Sequence, residues 1–266
     1  MFCFFFFLRF STVPEHYFLI WLALEFHSMK ILYNAPAILH KGAIIVGDTH
    51  FGMEGKLRRK GIFDNQFSLR LFDKLKGLIT QHKAKSLIFL GDVKEDITML
   101  DETTEHILAK LALLCPVTIV RGNHDGGIEH CGNARIVPSE GFVYEGIGLA
   151  HGHSWPAREL MDCKYLVMGH QHPMITITDT LGKRHSEPVW VMAEADGERM
   201  KERYEKFNKN IRLVLMPAFN PLVGSALNFV DSERLGPLLN NNIFKLDDAL
   251  VFRLDGTALG KLKSMM

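Results

Sequence analysis

Five short polar clusters in this sequence hold the side chains best suited to bind metal ions. Each cluster follows an apolar run that is typical of a buried strand. The clusters are Gly47-Asp48-Thr49-His50, Gly91-Asp92, Arg121-Gly122-Asn123-His124-Asp125, His151-Gly152-His153 and Gly169-His170-Gln171-His172. Because the carboxyl ends of strands in open α/β sheets gather ligands at one edge, we expect the five clusters to converge on one site.

The donor atoms in these clusters are oxygen and imidazole nitrogen, with no thiolate. This set favours Mn²⁺, with Fe or Zn²⁺ as alternatives, over a soft metal ion. Seven donors exceed what one ion with an open position can use, but they suit two ions about 3.5–4 Å apart that share a carboxylate. We predict two divalent ions, one bound by Asp48, His50 and His172, the other by Asn123, His151 and His170, with Asp92 as the bridge.

Such a centre predicts phosphoester hydrolysis. A water or hydroxide shared by two ions has its pKa lowered enough to attack phosphorus near neutral pH. His124 is then available as the general acid for the leaving oxygen, and we expect Asp125 to orient its imidazole. Taken alone, the first cluster is a common turn sequence and Asp92 could be a helix N-cap. The shared position of the clusters after apolar strands favours the metal site.

The elements that would position these clusters fall into two groups. Buried strands at 43–46, 86–90 and 117–120 alternate with amphipathic helices at 65–81 and 103–114, which predicts a parallel sheet core. Beyond about residue 142, a second sheet, mixed or antiparallel, is indicated by short strands at 147–150, 165–168, 174–178, 189–192, 213–216 and 249–254. The charged segment 197–212 predicts a solvated helix, with a nucleic-acid track as the less favoured alternative.

Composition narrows the class of protein. The 266 residues carry 31 Lys or Arg against 30 acidic residues, and this balance argues against a domain held to nucleic acid by charge alone. Four dispersed cysteines predict no disulfide framework and favour a cytoplasmic protein. The apolar, aromatic residues 1–28 contain no run long enough for stable membrane insertion. We predict that they are an extension upstream of a natural start at Met29 and that residues 29–266 form a single domain; a membrane-surface anchor is the alternative.

The motifs DTH, GD, GNHD, HGH and GHQH, in this order, resemble the calcineurin-like metallophosphoesterase superfamily. The stretch from about Met29 onward is similar to its ICC-like phosphoesterases related to SbcD nucleases, through MKILYNAPAILHKGAIIVGDTHFGME and MPAFNPLVGSALN. The resemblance implies an α/β fold, a four-layer α/β/β/α sandwich of two mixed sheets flanked by helices. It also implies the metal roles given above, with His151 rather than His153 as the ligand. Glu95 departs from the pattern, which often has Asp there, but lies outside the predicted ligands.

The candidates for substrate contact are basic side chains and one histidine. Arg58, Arg59 and Lys60 could hold a phosphate backbone or form a solvated loop. Arg121 could stabilise phosphoryl oxygens or buttress its own loop, and His153 is a further candidate for substrate contact. We see no aromatic platform interleaved with basic residues, of the kind that single-strand binders use.

We favour a phosphodiesterase or nuclease acting on DNA or RNA. One alternative is a phosphatase or cyclic-nucleotide phosphodiesterase with a small substrate. Another is a non-catalytic scaffold that keeps the fold, against which the presence of His124 with all seven donors weighs.

Overall fold

A computed structural model describes residues 29–131, 133–178, 180–227 and 236–265. Its first sheet has six strands in the order β1-β2-β3-β4-β5-β6. The first three strands pair antiparallel, and β3 to β6 pair parallel. The strands are β1 (Met29–Ile31), β2 (Ile38–His40), β3 (Ala43–Val46), β4 (Ser86–Phe89), β5 (Val117–Val120) and β6 (Arg135–Val137).

Helices α1 (Glu54–Arg59), α2 (Phe67–Gln81) and α3 (Glu102–Ala112) connect the parallel strands of this sheet. The apolar faces of α2 and α3 pack in one buried cluster with side chains of β3, β4 and β5. Helix α3 begins at the N-cap Asp101, whose carboxylate accepts a hydrogen bond from the backbone N–H of Thr104 at 3.0 Å. These helices cover the outer face of the first sheet.

The second sheet is mixed and has nine strands. Its main path runs β13-β10-β11-β12-β9-β8-β7, and β14 pairs with β11 and β15. Strands β8, β9 and β12 are parallel to one another. The strands are β7 (Phe142–Tyr144), β8 (Ile147–Ala150), β9 (Tyr165–Met168), β10 (Pro173–Thr178), β11 (Arg184–Glu194), β12 (Arg212–Leu215), β13 (Ser225–Ala226), β14 (Leu250–Arg253) and β15 (Ala258–Lys261).

The two sheets pack face to face through a buried cluster that includes Ile45, Ile88, Val167 and Trp190. A third cluster lies on the outer face of the second sheet and contains residues of α4 (Gly197–Arg203) and α5 (Gly236–Asn240). Short 3₁₀ helices lie at Ile128–His130, Arg158–Asp162 and Leu262–Ser264. Three buried clusters between four layers confirm the expected α/β/β/α sandwich with two mixed sheets.

Some predictions about elements need correction. The charged segment 197–212 is helical only over Gly197–Arg203, because Tyr204 and Ile211 turn inward and are buried. Helix α1 and the short strands β1, β2, β6 and β7 were not predicted. The expected extension at residues 1–28 lies outside the described residues. No helix in the described ranges is long and apolar enough to cross a membrane.

Candidate metal centre

The predicted metal-binding residues lie where the carboxyl ends of the parallel strands of both sheets meet. The loops after β3, β4 and β5 approach from one sheet, and the loops after β8 and β9 from the other. The backbone N–H of His170 lies 3.1 Å from each carboxylate oxygen of Asp48, which joins the two sheets directly. The imidazole Nδ1 of His151 donates a hydrogen bond to the Leu90 carbonyl at 2.6 Å and makes a second link.

Three groups of donor atoms form at this junction, and two of them consist entirely of predicted ligands. Donor atoms of Asp48, His50, Asp92 and His172 lie within 4.8 Å of one another, and so do those of Asp92, His151 and His170. Asp92 belongs to both groups. Asn123 lies beside the second group, because its Oδ1 is 3.2 Å from Nε2 of His151. The structure therefore brings all seven residues to one place, in two sets that share a carboxylate.

The backbone at this site adopts an uncommon conformation. Five of the seven residues have positive φ angles, between 44° and 68°: Asp48, His50, Asp92, His170 and His172. Non-glycine residues rarely occupy this left-handed region, and they do so mainly where the surrounding structure imposes it. The conformation aims successive side chains of each loop into the junction, and it is a strain typical of functional sites.

Two glycines allow the loops to approach closely. A Cβ atom at Gly91 would lie 2.4 Å from Nδ1 of His151, and one at Gly122 would lie 2.2 Å from the backbone nitrogen of Asp92. Neither position has room for a side chain. Asn220, which follows β12, is fully buried and donates a hydrogen bond to the Thr49 carbonyl at 3.1 Å. This contact braces the first loop, and Asn220 was not identified from the sequence as a site residue.

The electrostatics of the junction favour positive charge. Burial raises the pKa of the Asp92 carboxyl, but the nearby His151 imidazole outweighs this and the pKa lies below its usual value. Burial acts likewise on Asp48, and the His172 imidazole, 3.0 Å away, holds its pKa low. Burial lowers the pKa of His151, yet Asp92 and Asp48 together raise it to about 9. Both carboxylates are thus ionised, which is the form that binds cations.

His124 lies at the edge of the first group, with its ring centroid 4.9 Å from that of His50. Its backbone N–H donates to Oδ1 of Asp92 at 2.9 Å, and its Nδ1 donates to the Glu95 carbonyl at 2.8 Å. The prediction that Asp125 orients this imidazole is wrong. The carboxylate of Asp125 is buried and accepts hydrogen bonds from the backbone N–H groups of Val93 and Gly122, each at 2.8 Å.

Glu95 is a site residue that the sequence did not reveal. Its Oε2 lies 2.9 Å from Nδ1 of His50, and its Oε1 accepts a hydrogen bond from Lys56 at 2.6 Å. Donor atoms of Glu95, His50 and His124 lie within 4.8 Å of one another and form the third group at the junction. Burial raises the pKa of Glu95, but His50 and Lys56 lower it to about 2 overall. The only signal in the sequence was its departure from the related pattern.

The remaining predicted residues lie around this centre. The guanidinium of Arg121 pairs with Glu129, which supports a structural role for this cation. The ring of His153 lies 5.1 Å from that of His151 but belongs to none of the donor groups. Burial, with the charge on His151, lowers the pKa of His153. Arg58 and Arg59 are exposed on α1, and Arg58 donates a hydrogen bond to Asn65 at 3.1 Å.

Known proteins resemble this chain in sequence pattern and in fold. A family model described as calcineurin-like phosphoesterase matches residues 43–189. The chain resembles a solved Pseudomonas putida nuclease MPE with 19% sequence identity and a TM-score of 0.54, over 86% of this chain and 94% of that one. It also resembles YfcE, a phosphoesterase from E. coli, with 18% identity and a TM-score of 0.40, over 82% and 96%. No curated protein matches the chain in sequence.

Proposed function

This chain belongs to the calcineurin-like phosphoesterase family and is a metal-dependent phosphoester hydrolase, and from that premise we propose that it is a phosphodiesterase or nuclease acting on nucleic acid. The observation that carries the proposal is the buried carboxylate of Asp92, which two groups of metal donors share. His124 lies beside them with one ring nitrogen already engaged. This arrangement suits the cleavage of a phosphodiester, which needs charge neutralisation and a proton for the leaving group.

The residues present fit a pair of divalent cations. Asp48 and Asp92 are almost completely buried and face imidazoles rather than lysines or arginines. Nε2 of His50 is buried without a hydrogen-bond partner among the described residues, and Nε2 of His172 is buried beside the Asp48 carboxylate, 3.0 Å away. Buried carboxylates and unpartnered imidazole nitrogens are costly unless they bind a cation.

We propose that Asp48, His50 and His172 bind one ion, that Asn123, His151 and His170 bind the other, and that Asp92 bridges them. Bound divalent ions would neutralise phosphate charge and acidify water. The donor set suits Mn²⁺ first, with Fe or Zn²⁺ as alternatives. The free, buried cysteines Cys115, Cys131 and Cys163 fit our proposal of a cytoplasmic location.

His124 is the proposed general acid. Because its Nδ1 donates to the Glu95 carbonyl, the ring is held in one orientation and Nε2 is its second proton-bearing atom. The doubly protonated ring can donate the Nε2 proton to the leaving oxygen and return to the neutral form. Asp125 acts one step further away, since it ties the His124 loop to the loop after β4 through backbone hydrogen bonds.

The reaction class can be tested with four substrates in parallel. Metal-stripped protein is supplied with Mn²⁺ and offered bis-p-nitrophenyl phosphate, p-nitrophenyl phosphate, single-stranded DNA and double-stranded DNA. We expect metal-dependent hydrolysis of the diester and of at least one DNA substrate. Hydrolysis of the monoester alone would instead identify a phosphatase, and no hydrolysis with two bound ions would identify a scaffold.

We predict that Glu95→Gln weakens metal binding about 10- to 100-fold, because outer carboxylates orient histidine ligands and raise their basicity. The substitution keeps the shape of the side chain but removes the charge that faces His50 and Lys56. Calorimetric titration of Mn²⁺ into the metal-stripped protein measures the effect. Glu129→Gln, an exposed carboxylate that pairs with Arg121, is the matched control. Equal affinities in the two variants would contradict the prediction.

A further inference from the structure

We propose that residues 58–63, here called the arm, bind a single-stranded segment of nucleic acid beside the metal centre, with Phe63 stacking on a base and Arg58, Arg59 and Lys60 facing phosphates. The arm comprises the end of α1 and the loop that follows it. The inference rests on the proposed function and adds to it the strandedness of the substrate and the surface that binds it.

The helix that carries the arm contacts residues of the metal centre. Lys56, one helical turn before Arg59, lies 2.6 Å from Glu95, and Glu95 in turn lies 2.9 Å from His50. On its other side α1 is fixed to the start of α2, because the Glu54 carboxylate accepts hydrogen bonds from the backbone N–H and the hydroxyl of Ser68, each at 2.6 Å. The base of the arm is therefore held in place close to a predicted metal ligand.

The end of the arm is apolar and exposed. Phe63 is 80% exposed and Ile62 is 51% exposed, and only Gly61 separates them from three exposed cations. Burial of a phenylalanine is favourable, and this exposed ring follows a helix whose Lys56 contacts the metal centre through Glu95, so the ring and the cations before it together suggest a surface for a ligand. A single exposed ring after a basic run is not the interleaved aromatic platform whose absence was noted from the sequence, but it offers one stacking surface.

The charge and the aromatic ring of the arm indicate which class of ligand it binds. Three cations next to one exposed aromatic ring complement a polyanion that also presents flat π-faces, which describes nucleic acid. A ring can stack on a base only where the base is unpaired, so the geometry favours a single strand or a frayed end. A membrane surface would require a longer amphipathic helix than the six residues of α1.

The first test replaces the aromatic ring. We expect Phe63→Ala to weaken binding of a fluorescent single-stranded oligonucleotide to the metal-stripped protein about tenfold. In the Mn²⁺-loaded enzyme it should raise KM for that oligonucleotide, whereas the control variant should leave that KM at the wild-type value. The control is Leu113→Ala. Leu113 is 87% exposed and follows α3 at the amino end of β5, the edge opposite the metal centre.

The second test replaces a cation. Arg59→Glu should weaken oligonucleotide binding and reduce the slope of log affinity against log salt by about 0.7. Lys76→Glu on the exposed side of α2 makes the same charge change and should have little effect. If Phe63→Ala and Leu113→Ala bind the oligonucleotide equally, or if Phe63→Ala binds anionic lipid vesicles less well but DNA normally, the proposal is overturned.

The two proposals fail in different ways. Absence of diester hydrolysis by the wild-type enzyme would remove the proposed function. The binding comparison uses the metal-stripped chain and needs no turnover, so it decides the role of the arm separately.

Discussion

Asp92→Asn is expected to lower diester hydrolysis by at least about a thousandfold, because metal ions supply several kcal/mol of charge stabilisation in such reactions. Asp92 contributes a donor atom to both groups of predicted ligands at the junction. Its Oδ1 lies 3.4 Å from Nε2 of His151, and its Oδ2 lies 3.7 Å from Nε2 of His50. An amide of the same shape removes the negative charge from both positions at once.

The loss of metal binding caused by this substitution should also be detectable without an activity assay. Ligands that bind only the folded chain raise its melting temperature by mass action. We expect Mn²⁺ to raise the Tm of the wild-type chain and to have little effect on the Asp92→Asn variant. Asp73→Asn, an exposed carboxylate on α2, is the control and should respond to Mn²⁺ like the wild type. Two bound ions and full activity in the Asp92→Asn variant would refute the bridging role.

His124→Asn is expected to reduce cleavage of DNA about 10²- to 10⁴-fold, the range that general acids contribute. The effect on bis-p-nitrophenyl phosphate should be much smaller, because p-nitrophenolate leaves readily without a proton. Metal content should remain at the wild-type value, since His124 is not one of the seven proposed ligands. The comparison of the two leaving groups therefore separates proton donation from metal binding.

His106 provides a matched control for this experiment. Its Nδ1 lies 2.8 Å from the Glu102 carbonyl, much as that of His124 lies 2.8 Å from the Glu95 carbonyl. His106 is exposed on α3, away from the donor groups. His106→Asn should therefore leave both reactions unchanged. A uniform loss on both substrates in His124→Asn would indicate a structural effect and contradict the role as acid.

The interior strands could be predicted from the sequence because they are buried on both faces. Strand β3 begins and ends where its apolar run does, as do β5, β8 and β9. Strand β11 was predicted at 189–192 but spans Arg184–Glu194, because its first half forms an exposed hairpin with β10 and carries polar residues. Helix α1 was missed because Leu57 is its only buried residue.

The site illustrates a different limit. The order of the clusters was enough to place seven donors at one junction, because each follows the carboxyl end of a strand. Adjacency in sequence gave a wrong partner for Asp125. Its carboxylate accepts hydrogen bonds from the backbone N–H groups of Val93 and Gly122 and does not orient the neighbouring imidazole. Glu95 lies near His50 where a β-bridge between Phe51 and Lys94 aligns the two loops. Pairing between loops that are far apart in sequence cannot be deduced from local patterns.

The left-handed backbone at five of the seven donors also bears on how this protein can evolve. A side chain held in that conformation costs about 1–3 kcal/mol, and glycine would avoid most of this cost. A population selected only for heat resistance, with no demand for turnover, should therefore accumulate glycines at these positions first. Such descendants would be hardier than their ancestor and inert, because glycine has no side chain to bind an ion, so Asp and His at these positions serve the chemistry against the preference of the backbone.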